Sequence, residues 1–135
     1  MTRAGFEELQ HTADWALRVW APNQAELFRQ AAIGMNSLMG LKLQDEPVHK
    51  VEFHLLAEDD ESLLVRFLNE ILFYLEIERI GFEDFPLKLN GNRLIAELWG
   101  KPICSIEKPI KAVTFHNLVV QRGEDGLEAR LVFDV

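Results

Sequence analysis

The chain has 135 residues, a net charge of −8 and one cysteine, the dimensions of a single domain (1–135) with one core. No apolar run approaches the ~18 residues that span a membrane, and the acid-bearing start, Met1 to Glu8, reads as neither a signal nor a transit peptide. The charge balance repels a nucleic-acid backbone and suits a protein that docks on a basic partner or binds a cation. Cys104 has no partner for an internal disulfide, consistent with the cytoplasm.

In chain order, Ala13 to Trp20 has strand character and stops at Ala21-Pro22. Asn23 has the chemistry of an N-cap, with Glu26 as the reciprocal half of a capping box. Leu27, Phe28, Ala31, Ala32, Met35, Leu38 and Met39 recur at helical spacing, so Gln24 to Met39 is predicted as an amphipathic helix ended by Gly40. Gly34 weakens it slightly and allows close packing. The methionines read as core. Leu41 to Pro47 is a loop. Val48 to Leu56 alternates, with Val51, Phe53 and Leu55 on one face and Lys50, Glu52 and His54 on the other, a half-buried strand.

Glu58-Asp59-Asp60-Glu61-Ser62 reads either as a cation site or as helix N-terminal chemistry. The second is preferred, because acids favour the positive end of a helix and a helix follows at once. Its buried stripe is Leu63, Leu64, Phe67, Leu68, Ile71, Leu72 and Leu75, ending near Arg79 with Gly81 close to the C′ position. Phe85 to Leu89 and Leu94 to Trp99 are strands joined by the hairpin signal Asn90-Gly91-Asn92. Gly100 to Pro109 reads as an irregular connection and Ile110 to Gln121 as the longest strand. Gly123 to Gly126 turns the chain, and Leu127 to Val135 returns antiparallel. Strand, helix, strand, helix and then four strands predict an α+β fold, two main helices packed on a mixed, largely antiparallel sheet.

Familiar catalytic motifs are missing: no phosphate-binding glycine loop, no His-Glu-x-x-His, no cysteine pair, no Gly-x-Ser-x-Gly. Cys104 and Ser105 have no base nearby in sequence, and exposure explains His49 and His54. The candidates that remain are His11, Asp14, Lys111, His116 and Asp134. Asp14 leads into Trp15-Ala16-Leu17-Arg18-Val19-Trp20, and Asp134 follows Leu131-Val132-Phe133. A carboxylate in an apolar strand is costly to desolvate unless paired, which points to one shared site. Two carboxylates plus backbone or terminal oxygens, as at Val135, are hard ligands for Ca²⁺, Mg²⁺ or Mn²⁺. A lysine beside them would hold a phosphate or lower their pKa values. The residues equally allow Asp14 to cap a turn and Asp134 to end a strand.

His11-Thr12-Ala13-Asp14, the Ala- and Met-rich helix from Phe28 to Met39, Leu63-Leu64 with Phe67-Leu68-Asn69-Glu70-Ile71-Leu72, Lys111-Ala112-Val113-Thr114-Phe115-His116 and the closing Asp134-Val135 resemble, in order over essentially the whole chain, the archease family. The resemblance implies an archease-like single domain and an accessory protein rather than an enzyme. Archeases assist the RtcB-type ligase, which joins tRNA exon halves with GTP and Mn²⁺, by promoting its guanylylation and repeated turnover; a bacterial partner would serve RNA repair. RNA is met only through the ligase.

By the same resemblance, the family's metal site falls on Asp14 and Asp134, with Val135 supplying a backbone oxygen. The ion would be Ca²⁺ in a crystal, or Mg²⁺ or Mn²⁺. Lys111 matches a lysine that matters for ligase activation. His11 and His116 match motif positions and read as second-shell residues or, preferably, as satisfied core histidines. Two departures stand out: Gly100-Lys101 replaces the usual Gly-Glu, and the short Pro-rich segment after it lacks an expected histidine. The rival reading is a metal-dependent phosphodiester hydrolase acting alone. The absence of a clear general base and the acidic charge stand against it.

Overall fold

Alternating burial builds the first sheet. Strand β2 (Trp15–Ala21) turns Leu17, Val19 and Ala21 inward, all fully buried. Antiparallel β1 (Gly5–Gln10) covers one of its edges. Against the other edge lies β10 (Gly126–Asp134), whose Leu127, Ala129, Leu131 and Phe133 face the core. Beyond β10 come two short strands, β8 (Ala112–Thr114) and β9 (Gln121–Gly123), each pairing with one end of it. The computed structural model describes residues 3–10, 15–46 and 49–135.

The second sheet is built on one long strand, β7 (Arg93–Ser105). Its first half is flanked by β4 (His49–Leu56) and by β6 (Leu87–Asn90); its second half pairs with β5 (Ile80–Gly81) and β3 (Lys42–Leu43). Val51, Phe53 and Leu55 of β4 point inward, as their alternation requires. All these pairings are antiparallel, and they divide between two sheets. Helices α1 (Gln24–Met39) and α2 (Asp60–Phe73) pack on them, and one continuous apolar cluster runs through both sheets and both helices. The α+β class with two main helices therefore stands. Among the described residues no helix is long and apolar enough to cross a membrane.

Local chemistry fixes both helices. The Asn23 side chain accepts from Glu26 N, and Gly40 closes α1 in the left-handed region at φ 62°. Glu26 does not complete a capping box; its carboxylate accepts from Arg29 and Gln30 instead. The acidic run is helix N-terminal chemistry: Asp59 caps α2, accepting from Ser62 N at 2.7 Å. Hydrogen bonds from the Ser62 side chain and backbone hold the Asp59 carboxyl below its ordinary value. Past Phe73 the helix widens into a π turn, Tyr74–Glu78, and Arg79 takes the left-handed position (φ 59°) expected for Gly81.

Three expectations are corrected. The strand β1 is additional; its sequence, Gly5-Phe6-Glu7-Glu8-Leu9-Gln10, carries little apolar signal and is held by pairing with β2. The segment from Gly100 to Ser105 is not irregular but continues β7. Pro102 is accommodated opposite Ile80, and its carbonyl accepts from Gln44 N at 2.9 Å. Ile110 to Gln121 is not one long strand. Asn117 sits at φ 53° and breaks the run, leaving Phe115 and Val119 exposed.

Gly34 shows how closely α1 lies on the first sheet. A Cβ there would stand 2.6 Å from Leu17 Cδ2 and 3.0 Å from Phe6 Cγ. Alanine would gain about 1 kcal/mol in helix propensity. Overpacking costs about 1–3 kcal/mol, and both neighbours are packed between helix and sheet. Gly34→Ala is expected to lower the thermal unfolding midpoint; a raised midpoint would show that β1 moves aside freely.

Candidate functional site

The site predicted from sequence falls where β10 ends, at the junction of β2 and β8. Phe133 pairs with Trp15 on one side and with Val113 on the other. Asp134 pairs with Ala112, and its carbonyl accepts from Lys111 N at 2.8 Å. Lys111, Asp134 and Val135 are thus neighbours although the lysine is far from the acid in sequence. Asp14 and His11 lie outside the described residues.

The strand alternation that buries Phe133 leaves Asp134 exposed, and Val135 and Lys111 are exposed too. The desolvation argument for a buried, paired carboxylate therefore does not apply to Asp134. Lys108 contributes a further charge, its Nζ standing 4.9 Å from the centroid of the Trp15 ring. Arg122 does not join it. Its guanidinium pairs with Asp60 instead.

His116 follows β8 in a turn and is exposed, which corrects its reading as a satisfied core histidine. Its ring contacts the Asn117 amide at 3.2 Å, and its backbone N–H donates to Thr114 Oγ1. Lys101 is in β7, where it pairs with Glu83 at 3.2 Å. Gly100-Lys101 is therefore strand rather than a loop bearing on the site.

The metal implied by the resemblance needs hard oxygen donors. Among the described residues no group of three acid, histidine or cysteine side chains could hold an ion by itself. The donors on this side are the exposed Asp134 carboxylate, which makes no hydrogen bond among the described residues, and the oxygens of Val135. Their chemistry fits Ca²⁺, Mg²⁺ or Mn²⁺ once a further oxygen donor is added.

One residue of the site had no functional signal in the sequence. Asn69 of α2 accepts from Val113 N at 2.9 Å and donates to Val113 O at 3.4 Å. An amide side chain thus takes the place of a neighbouring strand along the outer edge of β8. It ties the helix to the strand that follows Lys111. Asn69→Ala would leave both backbone groups of Val113 without partners and is expected to cost about 1–3 kcal/mol in urea unfolding. Amide exchange at Val113 should accelerate with it; unchanged exchange would mean that water replaces the side chain fully.

The Archease protein family (MTH1598/TM1083) matches residues 6–135. The chain belongs to the archease family. Protein archease of Methanopyrus kandleri is 34% identical, the match covering 96% of this chain and 99% of that one. Protein archease of Methanosarcina barkeri is 31% identical over 96% of this chain and 95% of its own. Among solved structures, Methanobacterium thermoautotrophicum protein 1598 superposes with a TM-score of 0.74 at 30% identity, covering 97% of this chain and 99% of that one. The Thermotoga maritima archease, described as a possible chaperone, gives 0.70 at 25% identity and covers 96% of each chain. These likenesses run over the whole archease domain, so the fold and the junction of β2, β8 and β10 are compared at full length. Family membership supports an accessory role of the archease type.

Proposed function

We propose that this chain activates an RtcB-type RNA-splicing ligase, promoting its guanylylation and multiple turnover in tRNA splicing or RNA repair, and is not itself an enzyme. Archease family membership supports an accessory role. The observation that carries the finer reading is the bond from Lys111 N to Asp134 O, which joins the lysine and the acid that the family motifs single out. A divalent ion would be held by Asp14, Asp134 and the backbone oxygen of Val135. Bound there, it would supply positive charge against phosphate oxygens.

The chain's own residues do the rest. Backbone pairing holds the main chains of Lys111 and Asp134 side by side, so both exposed side chains are offered to the partner from the same edge. Pre-set charges stabilise charge that develops on phosphate without reorganising at the moment of reaction. Lys111 extends into solvent, where it can meet a nucleotide phosphate in the ligase. The net charge of −8 disfavours direct RNA binding, so RNA is reached through the ligase in the cytoplasm.

The test is a multiple-turnover RNA-joining assay with an RtcB-type ligase from the same source, GTP and Mn²⁺, with and without this protein. Turnover should rise well beyond one product per ligase. Turnover unchanged by the protein would overturn the reading.

A further inference from the structure

The connection from β7 to β8, residues 106–111, is pinned along its length. The N–H groups of Glu107 and Lys108 both donate to the carbonyl of Met39, each at 3.0 Å. Met39 is the last residue of α1, where a helix leaves its carbonyls without partners of its own. Pro109 has its φ fixed by its ring. Ile110 is buried in the core. Lys111 N then donates to Asp134 O at 2.8 Å, and the strand that follows is tied to α2 through Asn69. The backbone that carries the two exposed lysines, Lys108-Pro109-Ile110-Lys111, is therefore set by α1 on one side and β10 on the other, with Ile110 anchored between them.

The side chain of Lys108 is positioned as well. Its Nζ stands 4.9 Å from the centroid of the Trp15 ring. Trp15 pairs with Phe133, the residue before Asp134, and follows Asp14 in sequence, so it stands at the end of the sheet where the site lies. Among the described residues one other cation lies over a ring, Arg18 on Trp20, and Glu128 pairs with that arginine at 3.0 Å. The two kinds of contact differ in what they leave behind. A carboxylate cancels the charge it holds. A ring face attracts a cation through its quadrupole and leaves the net charge in place. Glu107, the acid beside Lys108 in sequence, is turned to the end of α1, where its carboxylate lies against Gly40. A lysine loses much rotamer freedom when it is fixed, so an ammonium already held on a ring meets an anion with less left to lose.

We propose that Lys108, positioned by Trp15, is a second cation of the site and donates to a phosphate oxygen of the nucleotide in the ligase. This rests on the ligase reading above and deepens it. Lys111 reaches into solvent from a fixed backbone, and Lys108 precedes it by three positions with its side chain set. Two ammonium groups on one rigid segment suit a polyphosphate, whose charge is spread over several oxygens, and lysine binds phosphate as a point charge. Lys108 supplies charge and hydrogen-bond donors and neither forms nor breaks a covalent bond. Trp15 acts through Lys108 and is a positioning residue.

The experiment measures stimulated guanylylation with GTP and Mn²⁺ in the absence of RNA, at increasing concentrations of wild-type protein, Lys108→Met, Lys108→Arg and Trp15→Leu. Sealing of RNA by ligase guanylylated beforehand is followed in parallel. Methionine keeps an unbranched apolar stem on the ring without the charge. Lys108→Met is expected to lower the rate at saturating protein about 10-fold or more, toward the roughly 100–1,000-fold that loss of one pre-set donor costs an enzyme. Its half-saturating concentration and thermal midpoint should stay at the wild-type values. Lys108→Arg keeps both the charge and the ring contact and should retain most of the rate. Trp15→Leu leaves the charge but frees it, and its rate should fall between the two; should that variant lose its fold, the two Lys108 variants decide alone. A wild-type rate for Lys108→Met overturns the proposal. So does a change confined to the half-saturating concentration, which would make Lys108 a docking contact, and so does equal loss in the methionine and arginine variants. Loss seen only in the sealing of RNA overturns the nucleotide contact. In all these cases wild-type protein still stimulates and the ligase reading stands. Wild-type protein without effect on guanylylation or joining overturns the ligase reading itself.

Discussion

Asp134→Ala is expected to remove stimulation of the ligase while leaving the fold unchanged. The carboxylate is exposed and makes no hydrogen bond among the described residues, so its loss leaves no buried group unpaired and no cavity. Surface changes of this kind stay within about 0.5 kcal/mol, and the thermal midpoint should barely move. The functional loss should be large. Removing even a residue that supports a metal ligand costs about 10–100-fold, and loss of a residue that holds the proposed ion itself should cost at least as much. Asp134→Asn is the sharper variant, because it keeps shape and an oxygen donor while removing the charge. Joining assays with both variants, read beside thermal unfolding, make the check. Full stimulation by Asp134→Asn would show that the charge is not the working feature.

Phe67→Ala should produce the opposite pattern, a large loss of stability. Phe67 is fully buried on α2 and stands at the centre of a ring cluster. Its centroid lies 5.8 Å from Phe28 of α1, 6.4 Å from Phe53 of β4 and, edge-on, 6.3 Å from Phe85. Truncating a buried phenylalanine costs about 3–5 kcal/mol, since lost transfer energy adds to the cavity left behind. The neighbours are rings on separate elements and cannot all move inward, which favours the upper half of that range. Domains of this size have only about 5–15 kcal/mol in total. The thermal midpoint should fall by about 10–20 °C. Phe67→Leu, which refills most of the space, should lose less than half as much. A cost below about 1.5 kcal/mol for the alanine variant would show that the two helices collapse onto the gap.

What was legible in the sequence follows from how local its cause is. Both helices could be read because their determinants lie within a few residues: Asn23 and Asp59 as caps, Gly40 as terminator, and apolar positions at three and four. The Gly91 turn was equally local, with φ 61° at the glycine. The strand β1 was not legible, because Phe6 and Leu9 alone make no pattern and its place depends on β2. Pro102 and the glycine before it looked like the end of a strand, yet β5 and β3 supply partners from distant parts of the chain. In the site, the ends of the chain could be paired as candidates from their motifs. The exposure of Asp134 follows from strand parity, which the apolar run obscured. Asn69 stood in a family motif, but its role gave no signal, since it completes a strand that lies far away in sequence.

The pairing of β2 with β10 sets the order of events during synthesis and folding. Arg18 and Glu128, bonded across these strands, are separated by 110 positions. Closing a loop of that length costs about 4 kcal/mol of chain entropy before any contact repays it. Helix α1 and the hairpin of β6 and β7 involve near neighbours and can form while the ribosome is still adding residues. The pairing of β2 with β1 is as local, but the rest of the first sheet must wait for β10, and with it the adjacency of Lys111 and Asp134. The surface that carries Lys111 and Asp134 therefore forms only once β10 has been made and has paired with β2 and β8.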